Sequence, residues 1–92
     1  MKTIMQKEKE CYVCESTCNL QEHHILYGTA NRKLSEKYGL KVWLCQEHHT
    51  GGSGVHFNKD LDLQLKKLAQ ERFEAVYGAN TRFADVFGKN YL

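Results

Sequence analysis

Two pairs of cysteine and histidine residues are the feature that most restricts how this chain can fold. Cys11 and Cys14 form the first pair, Cys45 and His48 form the second, and the members of each pair lie three positions apart. Four sulfur and nitrogen ligands at these spacings are typical of a tetrahedral structural Zn²⁺ site. We therefore expect a small domain in which one zinc ion joins two distant parts of the chain.

Cys18 leaves a second set of zinc ligands open. Together with Cys11, Cys14 and Cys45 it would complete a four-sulfur site and release His48. We prefer His48 as the ligand, because it lies at the same three-position spacing from Cys45 that separates the first pair. Cys18 is then interpreted as a small buried residue, a common environment for a free cysteine.

The length of the chain explains why such a site would be needed. A single domain of 92 residues buries only about 60–65% of the surface that its unfolded form exposes, so its core alone is marginal. Hydrophobic residues make up 41% of the sequence and charged residues 26%, which favours a globular domain over disorder or a coiled coil. The net charge of +2 permits a nucleic-acid partner but does not indicate one.

The N-terminal residues 1–10 are polar and contain no apolar segment of the kind that a signal peptide requires. No apolar run elsewhere is long enough to span a bilayer. We therefore expect a cytoplasmic protein with no membrane partner, whose first ten residues form a flexible tail. In a reducing compartment, clustered cysteines and histidines indicate metal binding rather than disulfides.

Residues 11–92 predict a single α+β domain. A strand is expected around residues 24–27, a helix over residues 31–38 that ends at Gly39, and a second strand over residues 41–45. The glycine-rich residues 49–56 predict a loop.

The C-terminal part of the chain predicts two helices. A long amphipathic helix of about five turns is expected to begin at Asn58 or Asp60 and to end at Gly78. Thr81 is expected to cap a short final helix that ends at Gly88. The apolar stripe of the long helix is predicted to be core, whereas its basic residues, Lys66, Lys67 and Arg72, are interpreted as a solvated face.

Four histidines remain once His48 is assigned to zinc: His23, His24, His49 and His56. Imidazoles both bind divalent metal ions and accept protons near neutral pH, so this set can supply a second metal site and a general base. The alternative is that His23 and His24 are polar surface residues of an edge strand.

These residues together resemble the HNH nuclease family, also called ββα-metal or His-Me finger nucleases. The resemblance extends from Cys11 to about Gly78 and rests on the cysteine pair at 11–14, Glu-His-His-Ile at 22–25, Leu-Cys-x2-His-His at 44–49, and Gly-Val-His at 54–56. The chain is most similar to the small phage and prophage type, which includes the nuclease domain of a phage recombination-enhancement nuclease. The resemblance implies a small zinc-stabilised ββα-metal domain.

The resemblance also implies roles for individual residues. His23, His49 and His56 would bind one catalytic divalent ion, which would be Mg²⁺, Mn²⁺, Ni²⁺ or Zn²⁺, separate from the structural zinc. His24 would be the general base. Asn31 is the candidate for the asparagine with which the family braces the loop between its two strands.

The implied substrate is single- or double-stranded DNA, and a recombination or phage protein is a further expected partner. Affinity for DNA must come from phosphate contacts, and the densest basic stretch comprises Arg32, Lys33, Lys37 and Lys41. Arg32 can clamp the scissile phosphate through its planar fork of donors. The alternative for the lysines is a solvated helix face.

A second class of function stays open at this point. The chain can instead be a non-catalytic zinc-knuckle module that binds nucleic acid or a protein partner. A module of that kind would need the four zinc ligands but not the other four histidines, so metal content separates the two hypotheses. The oligomeric state is not predicted.

Overall fold

A computed structural model describes residues 2–52 and 54–92 of the chain. The elements follow one another as two strands and four helices within these ranges: β1 (Leu20–His24), α1 (Thr29–Tyr38), β2 (Lys41–Cys45), α2 (Gln46–His49), α3 (Lys59–Tyr77) and α4 (Phe83–Phe87). The α+β class expected from the sequence is confirmed. No helix in the described ranges combines the length and apolar character that crossing a membrane requires.

The two strands pair antiparallel, with Leu20 opposite Cys45 and His24 opposite Lys41. The second strand has the predicted bounds, but the prediction of a strand at residues 24–27 is wrong, because β1 ends at His24. Ile25 and Leu26 are fully buried in the core instead of continuing the sheet. The amide of Ile25 donates to the carbonyl of Leu40, the residue that precedes β2.

The first helix is confirmed, although it begins at Thr29, two residues earlier than expected. Gly39 ends it in the left-handed conformation, at φ 72°, and donates its amide to the carbonyl of Ser35. This conformation is accessible to glycine at little cost. The resulting sharp reversal lets β2 begin two residues later, directly beside β1.

The prediction of a loop over residues 49–56 is incomplete, because α2 follows β2 without a break and includes His48 and His49. Turns then lead to α3, and the amide of Val55 donates to the carbonyl of His48. The side chain of Val55 is buried in the core. The turn that carries His56 is thereby held close to α2.

The long helix begins as expected at Asn58, whose side chain accepts a hydrogen bond from the amide of Leu61 at 3.1 Å. Phe73 is fully buried on this helix, and its ring lies 5.2 Å from the ring of Tyr38 on α1. Leu68 and Val76 were expected in the core but are exposed, so the apolar stripe is only partly buried.

The final helix is confirmed, and Gly88 ends it in the left-handed conformation. Its N-cap residue is Arg82 rather than the predicted Thr81, and no side chain in the described part of the chain caps it. Phe83 and Phe87 on this helix both pack against Phe73, with ring centroids 5.5 and 6.0 Å away. The aromatic cluster therefore joins α1, α3 and α4.

The polar N-terminal segment, residues 3–6, lies against β2 instead of forming the free tail expected from its composition. The Thr3 hydroxyl contacts the carbonyls of Gly39 and Lys41, and the amide of Ile4 donates to the Gly39 carbonyl at 2.9 Å. The guanidinium of Arg72 on α3 donates to the Ile4 carbonyl at 2.8 Å. Arg72 is exposed, as expected of a solvated face, but its side chain also joins α3 to the N-terminal segment.

Candidate active site and metal centres

The four predicted zinc ligands lie together, with one ligand atom from each within 4.8 Å of the others. His48 Nδ1 is 3.3 Å from the Cys45 sulfur and 3.8 Å from the Cys11 sulfur, and the Cys14 and Cys45 sulfurs are 3.7 Å apart. The set Cys11, Cys14, Cys45 and His48 can therefore hold a zinc ion, as predicted. Cys18 lies outside this group and is exposed, so its interpretation as a buried residue is wrong.

Local backbone structure brings these ligands together. Cys11 and Cys14 flank a tight turn in which the amide of Glu15 donates to the Cys11 carbonyl at 2.9 Å. Cys45 is the last residue of β2 and His48 lies in the helical turn that follows, so their side chains meet at the spacing of neighbouring helix positions. Burial opposes ionisation of the Cys11 thiol, but hydrogen bonds from the backbone of Cys45 and Cys14 outweigh it and lower the Cys11 pKa to about 6. The thiolate form binds metal ions.

His23, His49 and His56 form a second group of potential ligands, again with their ligand atoms within 4.8 Å. They come from β1, α2 and the turn before α3. Their ring centroids lie 5.2 Å apart for His23 and His49, 5.7 Å for His23 and His56, and 4.9 Å for His49 and His56. The structure thus brings together three histidines that are far apart in the sequence.

His23 is the most deeply buried member of this group, at 3% exposure. Its Nε2 atom is buried without a hydrogen-bond partner among residues 2–52 and 54–92. Burial, with the neighbouring His49 and His56, lowers the His23 pKa to about 3, which keeps its ring neutral. A neutral imidazole with an unused buried nitrogen fits a metal ligand, because satisfied buried polar atoms are the rule.

His49 carries the second feature expected of a metal ligand. Its Nδ1 lies within hydrogen-bond distance of Oε1 of Gln21, two residues before His23 on β1. A ligating histidine commonly donates its other ring nitrogen to an oxygen of this kind, which fixes the ring and its tautomer. Gln21 was not identified from the sequence, although its position on the same face of β1 as His23 follows from the alternation of a strand.

His24 lies in a different environment from its neighbour His23. Its Nε2 is 3.2 Å from Oε2 of Glu36, a residue of α1. Nζ of Lys41, directly opposite His24 on β2, forms ion pairs with Glu36 and, at 3.2 Å, with Glu22. The hydrogen bonds from Lys41 and His24 lower the pKa of Glu36, so the carboxylate facing His24 is ionised at neutral pH.

These contacts correct the expectation for Lys41. It was predicted to contact DNA phosphates, but it is only 3% exposed and its ammonium lies between two carboxylates. Glu22, His24 and Glu36 are close enough together to hold a cation, and the Lys41 ammonium already supplies the positive charge there. The sequence did not predict this cluster.

The histidine group and His24 open into one cleft of about 250 Å³. Its lining residues are Glu22, His23, His24, Tyr27, Arg32, His49 and His56. A wider groove of about 810 Å³ shares His24 and Arg32 with the cleft and adds Lys33. Arg32 and Lys33, two of the basic residues predicted to contact DNA, therefore line this groove.

Two other predicted residues lie away from the cleft walls. Lys37 is exposed on α1 with its ammonium 5.2 Å from the ring centroid of Tyr38. Asn31 is half-buried on α1 and lines neither the cleft nor the wider groove as described above. The buried Ser35 joins α1 to the segment that follows β1: its hydroxyl donates to the Leu26 carbonyl at 2.6 Å and accepts from the Leu26 amide at 3.2 Å.

Tyr27 lines the cleft, and Lys66 contacts its side chain, a pairing that the sequence did not predict. The Lys66 ammonium pairs with Asp62 at 2.8 Å and lies 4.4 Å from the ring centroid of Tyr27. Only 15% of the Lys66 side chain is exposed, which corrects its interpretation as part of a solvated face. The sequence does not indicate this contact, because α1, β2 and α2 all lie between Tyr27 and Lys66 along the chain.

Comparison of this chain with protein families, with curated proteins and with solved structures found no match.

Proposed function

We propose that this protein is a metal-dependent endonuclease of the HNH type that hydrolyses phosphodiester bonds in DNA. The observation that carries the proposal is the convergence of His23, His49 and His56 at one cleft, with a buried and unpartnered nitrogen on His23. His24 and Arg32 line the same cleft. The resemblance to phage and prophage proteins favours a role in phage recombination or DNA processing.

In this proposal His24 is the general base. Its Nε2 donates to the ionised carboxylate of Glu36, so Nδ1 is the nitrogen that takes a proton from water. The Glu36 carboxylate stabilises the charged ring that results, as a carboxylate does beside a catalytic histidine. Lys41 holds the Glu36 carboxylate in place from the opposite strand.

Arg32 binds the scissile phosphate with paired donors and orients it toward His24. Lys33 on the same helix adds a contact to the phosphate backbone in the wider groove. Lys37 extends this basic surface along α1. Water attacks the phosphorus in line and gives its proton to His24, while the bond to the 3′ oxygen breaks and that oxygen takes a proton from solvent. The products carry 3′-hydroxyl and 5′-phosphate ends.

Two metal sites have separate tasks in this proposal. His23, His49 and His56 would hold a divalent ion, whose charge would stabilise the transition state on the phosphate oxygens. Cys11, Cys14, Cys45 and His48 would hold zinc and join the N-terminal turn to β2 and α2. The first set therefore serves the reaction and the second serves the fold.

The test is cleavage of supercoiled plasmid and of single-stranded DNA by the wild type, His24→Ala and Lys67→Ala. Each reaction is run with Mg²⁺, Mn²⁺, Ni²⁺ or Zn²⁺, and with EDTA. We expect metal-dependent cleavage by the wild type and by Lys67→Ala, whose side chain is exposed on α3. His24→Ala should lose about 10²–10⁴-fold in rate, and added imidazole should restore part of it.

A second variant, His23→Ala, separates metal binding from proton transfer. It should lose cleavage and the exchangeable ion, whereas His24→Ala should retain that ion. Zinc-loaded, folded wild type that cuts none of these substrates with any of the four metals would refute the nuclease proposal. That result would favour the non-catalytic zinc-knuckle module.

A further inference from the structure

The ring of Tyr27 forms one wall of the cleft, directly beside the histidine group. Its centroid is 6.4 Å from that of His23, and 49% of the residue is exposed. Tyr27 follows the two fully buried residues Ile25 and Leu26, which fix the backbone from which it projects. An aromatic side chain this exposed has no role in the core.

Contacts from α3 nevertheless hold this exposed ring in one orientation. The Tyr27 hydroxyl donates to Oδ2 of Asp62 at 3.2 Å and accepts from Nζ of Lys66 at 3.4 Å. Lys66 also covers part of one ring face, with Nζ 4.4 Å from the centroid, and pairs with Asp62 at 2.8 Å. The ring is therefore already ordered in the free protein, so binding loses little conformational entropy at this side chain. A binding surface of this kind is preorganised.

We propose that Tyr27 is a stacking platform for an unpaired nucleobase next to the scissile phosphate. The inference rests on the proposed nuclease function and gives it a substrate class, namely nucleic acid with a single-stranded segment at the cut. Aromatic side chains bind single strands by stacking on successive bases, and the contact tolerates any base. Lys66 beneath the ring adds positive charge close to the phosphate path.

Geometry explains why the base must be unpaired. The bases of a continuous duplex are stacked on each other, so a protein ring reaches a base face only where the stack is interrupted. The Tyr27 ring centroid lies only 6.4 Å from that of His23. A base on Tyr27 would therefore belong to a nucleotide beside the phosphate held at the histidines.

Binding without turnover tests the inference separately from the nuclease proposal. The affinity of zinc-loaded protein carrying His24→Ala is measured by fluorescence anisotropy in EDTA-free buffer without added divalent metal. The ligands are a labelled 20-nucleotide single strand and the same strand in a blunt duplex. Tyr27→Ala, added to this background, should weaken binding of the single strand about tenfold and leave duplex binding unchanged.

Tyr27→Phe is the matched variant, since it keeps the ring and loses both hydroxyl contacts. It should bind the single strand far more tightly than Tyr27→Ala. Equal losses on single strand and duplex, or a Phe variant as weak as the Ala variant, would overturn the inference. If the wild type cleaves DNA but single-strand binding does not depend on Tyr27, the stacking role alone is overturned. If single-strand binding depends on Tyr27 but the wild type cleaves no substrate, the nuclease proposal alone is overturned.

A second measurement needs no substituted protein. Single strands that carry one 5-iodouracil are cross-linked to the wild type by light, and the attached residue is identified by mass spectrometry. We expect a cross-link to Tyr27 when the 5-iodouracil occupies one particular position in the strand. Attachment only to residues outside the cleft would overturn the inference even if the Tyr27 variants failed to fold.

Discussion

Removal of one zinc ligand should unfold much of this domain, and Cys45→Ser is the sharpest way to test it. Cys45 joins β2 to α2, is 8% exposed and has its sulfur 3.7 Å from that of Cys14. The matched control is Cys18→Ser, because Cys18 is exposed and lies outside the ligand group. The two substitutions are chemically identical, but only Cys45→Ser removes a ligand.

The expected magnitude follows from the size of the domain. A chain of 92 residues has a free energy of unfolding of about 5–14 kcal/mol, whereas a structural zinc ion contributes about 10–16 kcal/mol in small zinc-dependent domains. Loss of only a third of that contribution, about 4 kcal/mol, lowers Tm by roughly 16–32 °C in a domain of this size. Cys45→Ser should therefore be largely unfolded at 37 °C, and Cys18→Ser should match the wild type.

The assay combines zinc content by mass spectrometry with thermal unfolding followed by circular dichroism, before and after chelation. We expect the wild type and Cys18→Ser to retain one tightly bound zinc ion and to lose their cooperative transition when it is removed. Zinc-free wild type with an unchanged Tm would refute the reasoning, and so would equal loss of zinc from both variants.

Two further predictions concern the core and the charge cluster beside His24. Phe73→Ala should lower the free energy of unfolding by about 3–5 kcal/mol, because Phe73 is fully buried among aromatic rings. Leu68→Ala, on the exposed side of the same helix, should lower it by about 0.5 kcal/mol or less. Urea unfolding measures both values, and equal losses would contradict the prediction. Since the folded pKa of Glu36 lies below its usual 4.5, its contribution to stability is present above pH 4.5 and is lost as pH falls through the lowered value. Glu36→Gln should therefore narrow the difference in Tm between pH 6 and pH 3, and an unchanged difference would show that Glu36 is not responsible.

The zinc ligands were predictable because their information is local. Each pair lies within one turn of backbone, so the spacing alone indicates that its members share a site. The helix ends at Gly39 and Gly88 were predictable for the same reason, since both glycines adopt the left-handed conformation that this residue reaches at little cost. A pattern that depends only on a few neighbouring residues predicts the same local structure whatever the rest of the fold is.

The errors concern residues whose environment is decided by distant parts of the chain. His24-Ile-Leu-Tyr27 has the composition of a strand, but burial of Ile25 and Leu26 in the core outweighed that local preference. Lys41 is a positively charged residue in the sequence, and nothing next to it in the chain indicates that its charge is neutralised. The carboxylate of Glu22 reaches it only because β1 pairs with β2. Lys66 and Tyr27 likewise become neighbours only when α3 packs against the end of β1.

The N-terminal segment along β2 has a consequence for how the protein behaves in solution. One edge of β2 pairs with β1, and the outward-facing carbonyl of Lys41 and both backbone groups of Trp43 are taken by Thr3, Gln6 and Tyr12. Open strand edges recruit strands from other molecules and so promote aggregation. The segment therefore blocks the addition of a third strand at the β2 edge of this two-stranded sheet.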